Sequence, residues 1–362
     1  NEINLGAGGS LRLGSDSSTF LSGSFTNIGA GSKLVKETGV GMLYYSGTSG
    51  NGVIPDVETK QGSLLLAVNP TSTTTVSGTI GSISRSGSGL LILWNANGAL
   101  PVSMGTAALP NGILGPWAIA RIGTSFGFLT IDNGTAALAA TTSLAAGTNN
   151  TSGAINYTTN GVTLTGTVNA NTLYLNGNLV PGPLFKTKAI LQLGTTTIGN
   201  SGASSQVTIP GGADEKALIF YSGGAGGSNA SATLYSGIVE ETAGSSVLFQ
   251  PMDGTSQSNV ATLNLFGANN FTGRLVFGDY GPNYAPNGGA GALTIGDGAN
   301  INSTIGDVVF ADQVGMTVNF TVNTGGTSTF GSVFSTFTPN LTKTGSGVMR
   351  ITGTATTGTA ST

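Results

Sequence analysis

"LTKTGSGVMRITG" runs from Leu341 to Gly353, and two other stretches repeat its pattern: "LVKETGVGMLYYSG" from Leu34 and "ISRSGSGLLILWN" from Ile83. Gly39, Gly87 and Gly345 align, as do Gly41, Gly89 and Gly347. A base lies upstream in each copy, Lys36, Arg85 or Lys343. Alternating apolar residues follow: Leu43 and Tyr45, Leu91 and Leu93, Met349 and Ile351. A looser copy, "IVEETAGSSVLFQ", opens at Ile238. Period-two alternation bounded by Gly, Ser, Asn and Thr marks short strands. Repetition of such strands marks a solenoid. Glycine permits the positive-φ corners, and inward Leu, Ile, Val and Phe stack on their equivalents in the next coil. The reading is all-β: one continuous parallel β-solenoid over residues 1–362, with degenerate repeats beginning near 34, 83, 238 and 341. Coils of about 20–29 residues, spaced by about 4.8 Å, predict a rod of about 70 Å.

Composition narrows the function. The 362 residues include 60 glycines, no cysteine and no histidine, and 7 % are charged, against about 25 % in an ordinary domain. Hydrophobic residues at 38 % and a mean hydropathy of +0.20 allow a large buried core, unlike a disordered chain. A net charge of -3 from 12 basic and 15 acidic residues provides no basic stripe for nucleic acid. No apolar run approaches the roughly 20 residues of a membrane span, so no membrane insertion is expected. Without cysteine there is no disulfide, thiol catalysis or zinc-thiolate site. Without histidine the usual acid–base group is missing. The first residue is Asn rather than Met, which reads as a processed product or an excerpt. Low charge with abundant Ser, Thr, Asn and Gly points to a secreted bacterial surface or fibre protein.

Three motifs carry a family likeness. They are "LTKTGSGVMRITG", "LFGANNFTGRL" (through Gly267, Asn269, Phe271 and Gly273) and "KQGSLLLAV" (through Gly62, Leu64 and Leu66). Together they resemble the autotransporter-associated β-strand repeat, also called the passenger-associated transport repeat. The segment "GILGPWAIARIGTSFGFLTIDNG" (112–134) is similar to a connector that accompanies such repeats. The resemblance implies a right-handed parallel β-helix exported across the bacterial envelope, extracellular or at the cell surface. It implies no catalytic residues and no cofactor.

The head of the chain, "NEINLGAGGSLRLGSD", complements its tail. Gly9, Leu11 and Leu13 have the spacing of Gly62, Leu64 and Leu66, which close an internal repeat. Joined tail to head, Gly347 to Gly9 spans 24 residues, against 21 from Gly41 to Gly62. Residues 1–15 of one copy would then complete the repeat begun by Lys343, Gly345, Gly347, Met349 and Ile351 of another. Leu11 and Leu13 would pack over Met349 and Ile351 or their immediate neighbours. An uncapped solenoid end is an exposed sheet edge that templates further pairing, and a head-to-tail contact that does not close generates an open filament. The expected function is an extracellular structural subunit, a self-assembling fibre, filament or sheath component whose partner is itself. A passenger-type adhesin or display rod that engages surface glycans is the alternative, and a carbohydrate-active enzyme the third class.

Candidate chemistry is sparse, and no enzyme is expected. Glycosidases need two carboxylates flanking the substrate, but Asp214 with Glu215 and Glu240 with Glu241 are sequence neighbours. Adjacent strand residues point to opposite faces, so both pairs read as polar turns. Asp132 and Asp297 lack the several carboxylates of a calcium site and also read as turn residues. A serine nucleophile needs a base; without histidine only a Ser–Lys pair remains, and the lysines sit on repeat positions. "SGGAGGSNAS" lacks the Gly-Lys-Ser/Thr signature of a phosphate loop. Trp94, Trp117, Tyr44, Tyr45, Tyr280 and Tyr284 fit core or face stacking better than a sugar platform, although "GDYGPNYAPNGG" (278–289) reads as an exposed contact loop. Asn-x-Ser/Thr triplets at Asn133, Asn229 and Asn270 match chance expectation in this composition.

Overall fold

The computed structural model describes residues 2–14, 19–22, 24–26, 28–39, 42–47, 54–68, 79–95, 100–102, 109–202, 204–212, 216–223, 230–251, 261–278, 290–311, 317–335 and 340–356. The fold is a parallel β-solenoid, and no α-helix occurs among the described residues. Two compact units, Asn1–Ala140 and Thr141–Thr362, are described separately.

In the second unit the chain visits three sheet faces in fixed order. The face that ends with the base of the terminal motif contains Val162–Thr163, Leu179–Val180, Thr195–Ile198, Ala230–Leu234, Ala261–Leu265, Ala290–Ile295, Thr317–Asn323 and Asn340–Thr344, all parallel. We call it the base face. A second face follows: Gln206–Ile209, Gly237–Glu240, Asn270–Phe271, Ser303–Ile305, Thr327–Phe330 and Val348–Ile351. A third carries Ala217–Gly223, Ser246–Pro251, Leu275–Phe277, Val308–Phe310, Val333–Ser335 and Ala355–Thr356. The long strand Leu184–Leu193 serves both of the last two, because its Phe185 pairs with Val207 and its Ile190 with Phe220.

Coil length varies while the inward columns persist. On the base face Leu179, Ile198, Leu234, Leu265, Ile295, Val322 and Lys343 occupy one register column, separated by 19, 36, 31, 30, 27 and 21 residues. Excess residues leave as loops at the corners, where they cost little closure entropy. On the third face Phe220, Phe249, Phe277 and Phe310 pair in register, with ring centroids 5.9, 4.9 and 6.1 Å apart. Phe320 and Phe330 continue the stack at 5.4 and 5.9 Å. All six rings are buried.

The first unit follows the same plan in shorter form. Ser10–Gly14, Lys33–Thr38, Asp56–Thr59 and Ile83–Arg85 make its base face. Thr19–Ser22, Met42–Gly47, Ser63–Val68, Leu90–Asn95 and Ala118–Ile122 make the second. Glu2–Asn4 pairs with Ser24–Thr26 on the third, where later turns keep single bridges, Ile54 to Ile80 and Ile80 to Val102.

The stack then reverses direction. Ala118–Ile122 pairs antiparallel with Ser125–Asp132, which pairs antiparallel with Thr135–Leu138. Two tight turns cause the reversal. Gly123 has φ 61°, and Asn133 and Gly134 have φ 47° and 74°, as a two-residue Asn-Gly hairpin turn requires. The segment likened to a connector that accompanies such repeats is an antiparallel meander. The looser repeat at Ile238 also differs in phase. It starts on the second face, whereas the copy at Leu341 starts on the base face.

The phenylalanine stack gives a direct test. Phe249→Ala should lower stability by about 3–5 kcal/mol, read as a reduced midpoint of chemical unfolding. Tyr235→Ala, at a half-exposed ring, should shift that midpoint far less.

Candidate self-assembly interface

The base of the repeat motif is an inward residue. Lys36 is 1 % exposed, in register between Leu13 of the preceding coil and Thr59 of the following one. Its Nζ donates to the carbonyl oxygens of Thr38, 2.6 Å, and Gly39, 3.1 Å. The ammonium thus holds the corner that Gly39, at φ 81°, turns. A buried charge is tolerable only with such partners. Lys343, on the edge strand, makes similar contacts to its corner, to the carbonyls of Thr344, 2.5 Å, and Gly345, 3.0 Å, and Gly345 has φ 77°. Lys343 differs in being exposed, because no described strand lies beyond Asn340–Thr344 on its face. Gly347 completes the motif by close approach, since a Cβ there would lie 2.1 Å from the Gly326 carbonyl oxygen. Arg85, the third base, instead sets its guanidinium 5.8 Å from the Trp117 ring.

Both described ends are edges. Among the described residues Ser10–Gly14 and Thr19–Ser22 each pair on one side only, as do Asn340–Thr344, Val348–Ile351 and Ala355–Thr356. At the tail Leu341 is 45 % and Val348 52 % exposed, the large exposed hydrophobics among the described residues. Met349 and Ile351 are half-buried and pack on the core from its open end. At the head Gly9, Leu11 and Leu13 are half-buried, with exposed Ser10 and Arg12 between them. Gly9 receives a bond from the Lys33 amide, 2.9 Å.

Two expectations about this junction are corrected. Leu341–Thr356 is a whole turn with a strand on each face, not half a repeat. Further, Ser10–Gly14 shares its sheet with Lys33–Thr38, whereas Gly62 leads into Ser63–Val68 on a different face. Leu11 and Leu13 are therefore in phase with Leu34 and Lys36, and match Leu341 and Lys343 rather than Met349 and Ile351. A Gly-x-Leu-x-Leu pattern fits either face, because period-two alternation says only which residues point inward.

The other candidate groups are occupied in joining coils, as Glu240 and Glu241 do, or in local turns, as Asp132 and Asp297 do. One Glu240 oxygen accepts the Thr272 amide at 3.0 Å and the Thr272 hydroxyl at 2.8 Å, and the other accepts the Ser245 amide at 2.9 Å. Glu241 pairs with Lys186 and accepts the Gly211 amide at 2.8 Å. Asp132 accepts from the Asn133 side chain and Asp297 from the Ala299 amide. No metal-ligating cluster of three or more acidic residues occurs among the described residues. Arg121 lies 4.6 Å from the Trp94 ring. Asp214, Glu215, Asn229, Tyr280 and Tyr284 lie outside the described residues, as do the side chains of Tyr44 and Tyr45.

The sequence placed Asn269 in a motif without showing its role at a corner, and it gave no sign of one cleft. Asn269 is buried. Its Oδ1 accepts the Ile238 amide at 3.1 Å, and its Nδ2 donates to the Gly267 carbonyl at 2.8 Å. The Gly-x-Asn motif was the visible signal of that corner. An open cleft of about 490 Å³ is lined by Ser201, Gln206, Tyr235, Phe266, Asp297 and Asn300, among others. The Tyr235 and Phe266 rings stand 5.5 Å apart. Their distance in sequence hid the pair.

Ion pairs on the outside tie successive coils. Glu37 bridges Arg12, 2.7 Å, and Lys60, 2.8 Å. The Lys60 hydrogen bond holds the Glu37 carboxyl below its ordinary value of 4.5, aided by Arg12. The Ser86 hydroxyl does so for Glu58, with Lys33 and Lys60, and Lys186 with the Gly211 amide for Glu241. A lowered folded pKa stabilises above the unfolded value and loses that contribution as pH falls through the folded value. The melting temperature should therefore fall on acidification below about pH 4.5, and Glu241→Gln should flatten part of that dependence in calorimetry.

No family model, curated protein or solved structure matches this chain.

Proposed function

We propose that this chain is an extracellular, non-enzymatic structural subunit that stacks head to tail into a fibre, filament or sheath by β-strand pairing. The observation that carries this reading is the pair of unpaired parallel edges at the two described ends, each with apolar residues at inward positions. Such edges template further strands unless they are blocked. The motif likeness to the autotransporter-associated repeat and the low-charge, cysteine-free composition support export to the cell surface. Leu13→Asp or Leu341→Asp would set a carboxylate at the open end of an inward column, where only one neighbouring coil, at Lys36 or Phe320, lies beside it. Either variant should keep the β-rich circular dichroism spectrum and fail to form filaments in electron microscopy. Normal filaments from both variants would overturn the reading.

A second reading is favoured by the Tyr235–Phe266 cleft, which pairs aromatic faces with hydroxyl, amide and carboxylate groups. Sugars offer C–H faces and hydroxyls that match such a lining. On this reading the chain is a display rod that engages a surface glycan. Tyr235→Ala should then abolish retardation of the protein in polysaccharide-containing native gels. Unchanged migration of the parent protein across neutral and acidic polysaccharides would remove this reading.

A further inference from the structure

The head and tail coils have the same footprint. Leu341, Lys343, Met349, Ile351 and Ala355 hold inward register positions beside Phe320, Val322, Ser328, Phe330 and Val333, all buried. In the head turn Leu11, Leu13 and Phe25 hold the corresponding positions, with Leu34 and Lys36 beside the first two, and the backbone of Thr19 and Leu21 pairs in register with that of Leu43 and Tyr45. Both sets step by 2, 6, 2 and 4 residues. The two turns present equivalent strands in the same order, with no insertion between them.

Stacking them exposes a conflict on the third face. A solenoid has one strand slot per face per turn. If Ser10–Gly14 of a second copy pairs on Asn340–Thr344, and Thr19–Ser22 on Val348–Ile351, then Ser24–Thr26 needs a neighbour beneath it. That slot is claimed twice: by Glu2–Asn4 of the incoming copy, which already pairs with Ser24–Thr26, and by Ala355–Thr356 of the first copy.

We propose that elongation proceeds by strand exchange, in which Glu2–Asn4 of the incoming copy displaces Ala355–Thr356 and pairs with Val333–Ser335. The inference rests on the head-to-tail reading above. Ala355–Thr356 is the weaker occupant. It makes two register pairs, and its inward residue is an exposed alanine over buried Val333. Glu2–Asn4 makes three pairs and brings Ile3, which faces buried Phe25. After exchange the inward column reads Val333, Ile3, Phe25, with a larger apolar residue in the alanine's place. On the base face Leu11 comes over Leu341 and Leu13 over Lys343, and Lys343 becomes covered as Lys36 is covered by Thr59.

The absence of cysteine makes the junction readable by engineered disulfides, which need Cα separations near those of paired strands. A mixture of Ile3→Cys and Val333→Cys chains should form an intermolecular disulfide on assembly, as should Leu11→Cys with Leu341→Cys. A chain ending at Gly353 should elongate at least as fast as the full chain, because the strand to be displaced is gone. Filaments that cross-link at 11 with 341 but not at 3 with 333, together with loss of elongation on truncation at Gly353, would overturn the exchange and leave head-to-tail stacking in place. Failure of the full chain to assemble at all would instead remove the reading on which the exchange rests.

Discussion

In-register parallel pairing of each coil on the one before it is the constraint from which the rest of this structure follows. A backbone amide or carbonyl that misses its partner in a buried sheet is costly. Each coil must therefore return its strands to the same places, whatever its length. The base-face column keeps its register through steps of 19 to 36 residues, which confines variation to the loops. Corners are held more tightly. A Cβ on Gly306 would lie 2.0 Å from the Gly273 carbonyl oxygen, so the chain crosses itself there at a distance only glycine allows.

The polar residues answer to the same constraint. Asn269, Lys36 and Glu240 would attract notice in any search for chemistry. Each is engaged in closing a corner or bridging two coils. With so few charged residues in the chain, most of those described have a coil-joining partner, and the carboxylates are dispersed among such contacts. The buried ammonium of Lys36 is an example of polar burial that fixes which residue sits where. An apolar residue would fill the column but would leave the Thr38 and Gly39 carbonyls without their donor.

Much of this was legible in the sequence. The alternation in "LVKETGVGMLYYSG" and "LTKTGSGVMRITG" identified strands, corners and a base two or three residues before the corner glycine, because inward apolar residues and corner glycines are local requirements. The face on which a strand lies is not local. Leu11 and Leu64 sit in similar Gly-x-Leu-x-Leu settings yet belong to different sheets, and only the accumulated path of the preceding coils separates them. The meander after Trp117 was written in Gly123 and Asn133–Gly134, whose hairpin turns compete directly with a parallel continuation. The Tyr235–Phe266 pair lay beyond reach, since it depends on the register of two coils 31 residues apart.

The antiparallel meander has a consequence for how the first unit comes to be folded. Stacked coils fold like a zipper, each completed turn offering a template for its neighbour. A parallel edge passes that template on unchanged. The hairpin at Ile122–Ser125 and the Asn133–Gly134 turn consume it instead, since Thr135–Leu138 closes against Leu100–Pro101 of its own unit. Order that starts among residues 2–95 spreads turn by turn and halts at a fixed stop. The length of the zipper is thus set by geometry written into two turns, not by where favourable stacking happens to run out.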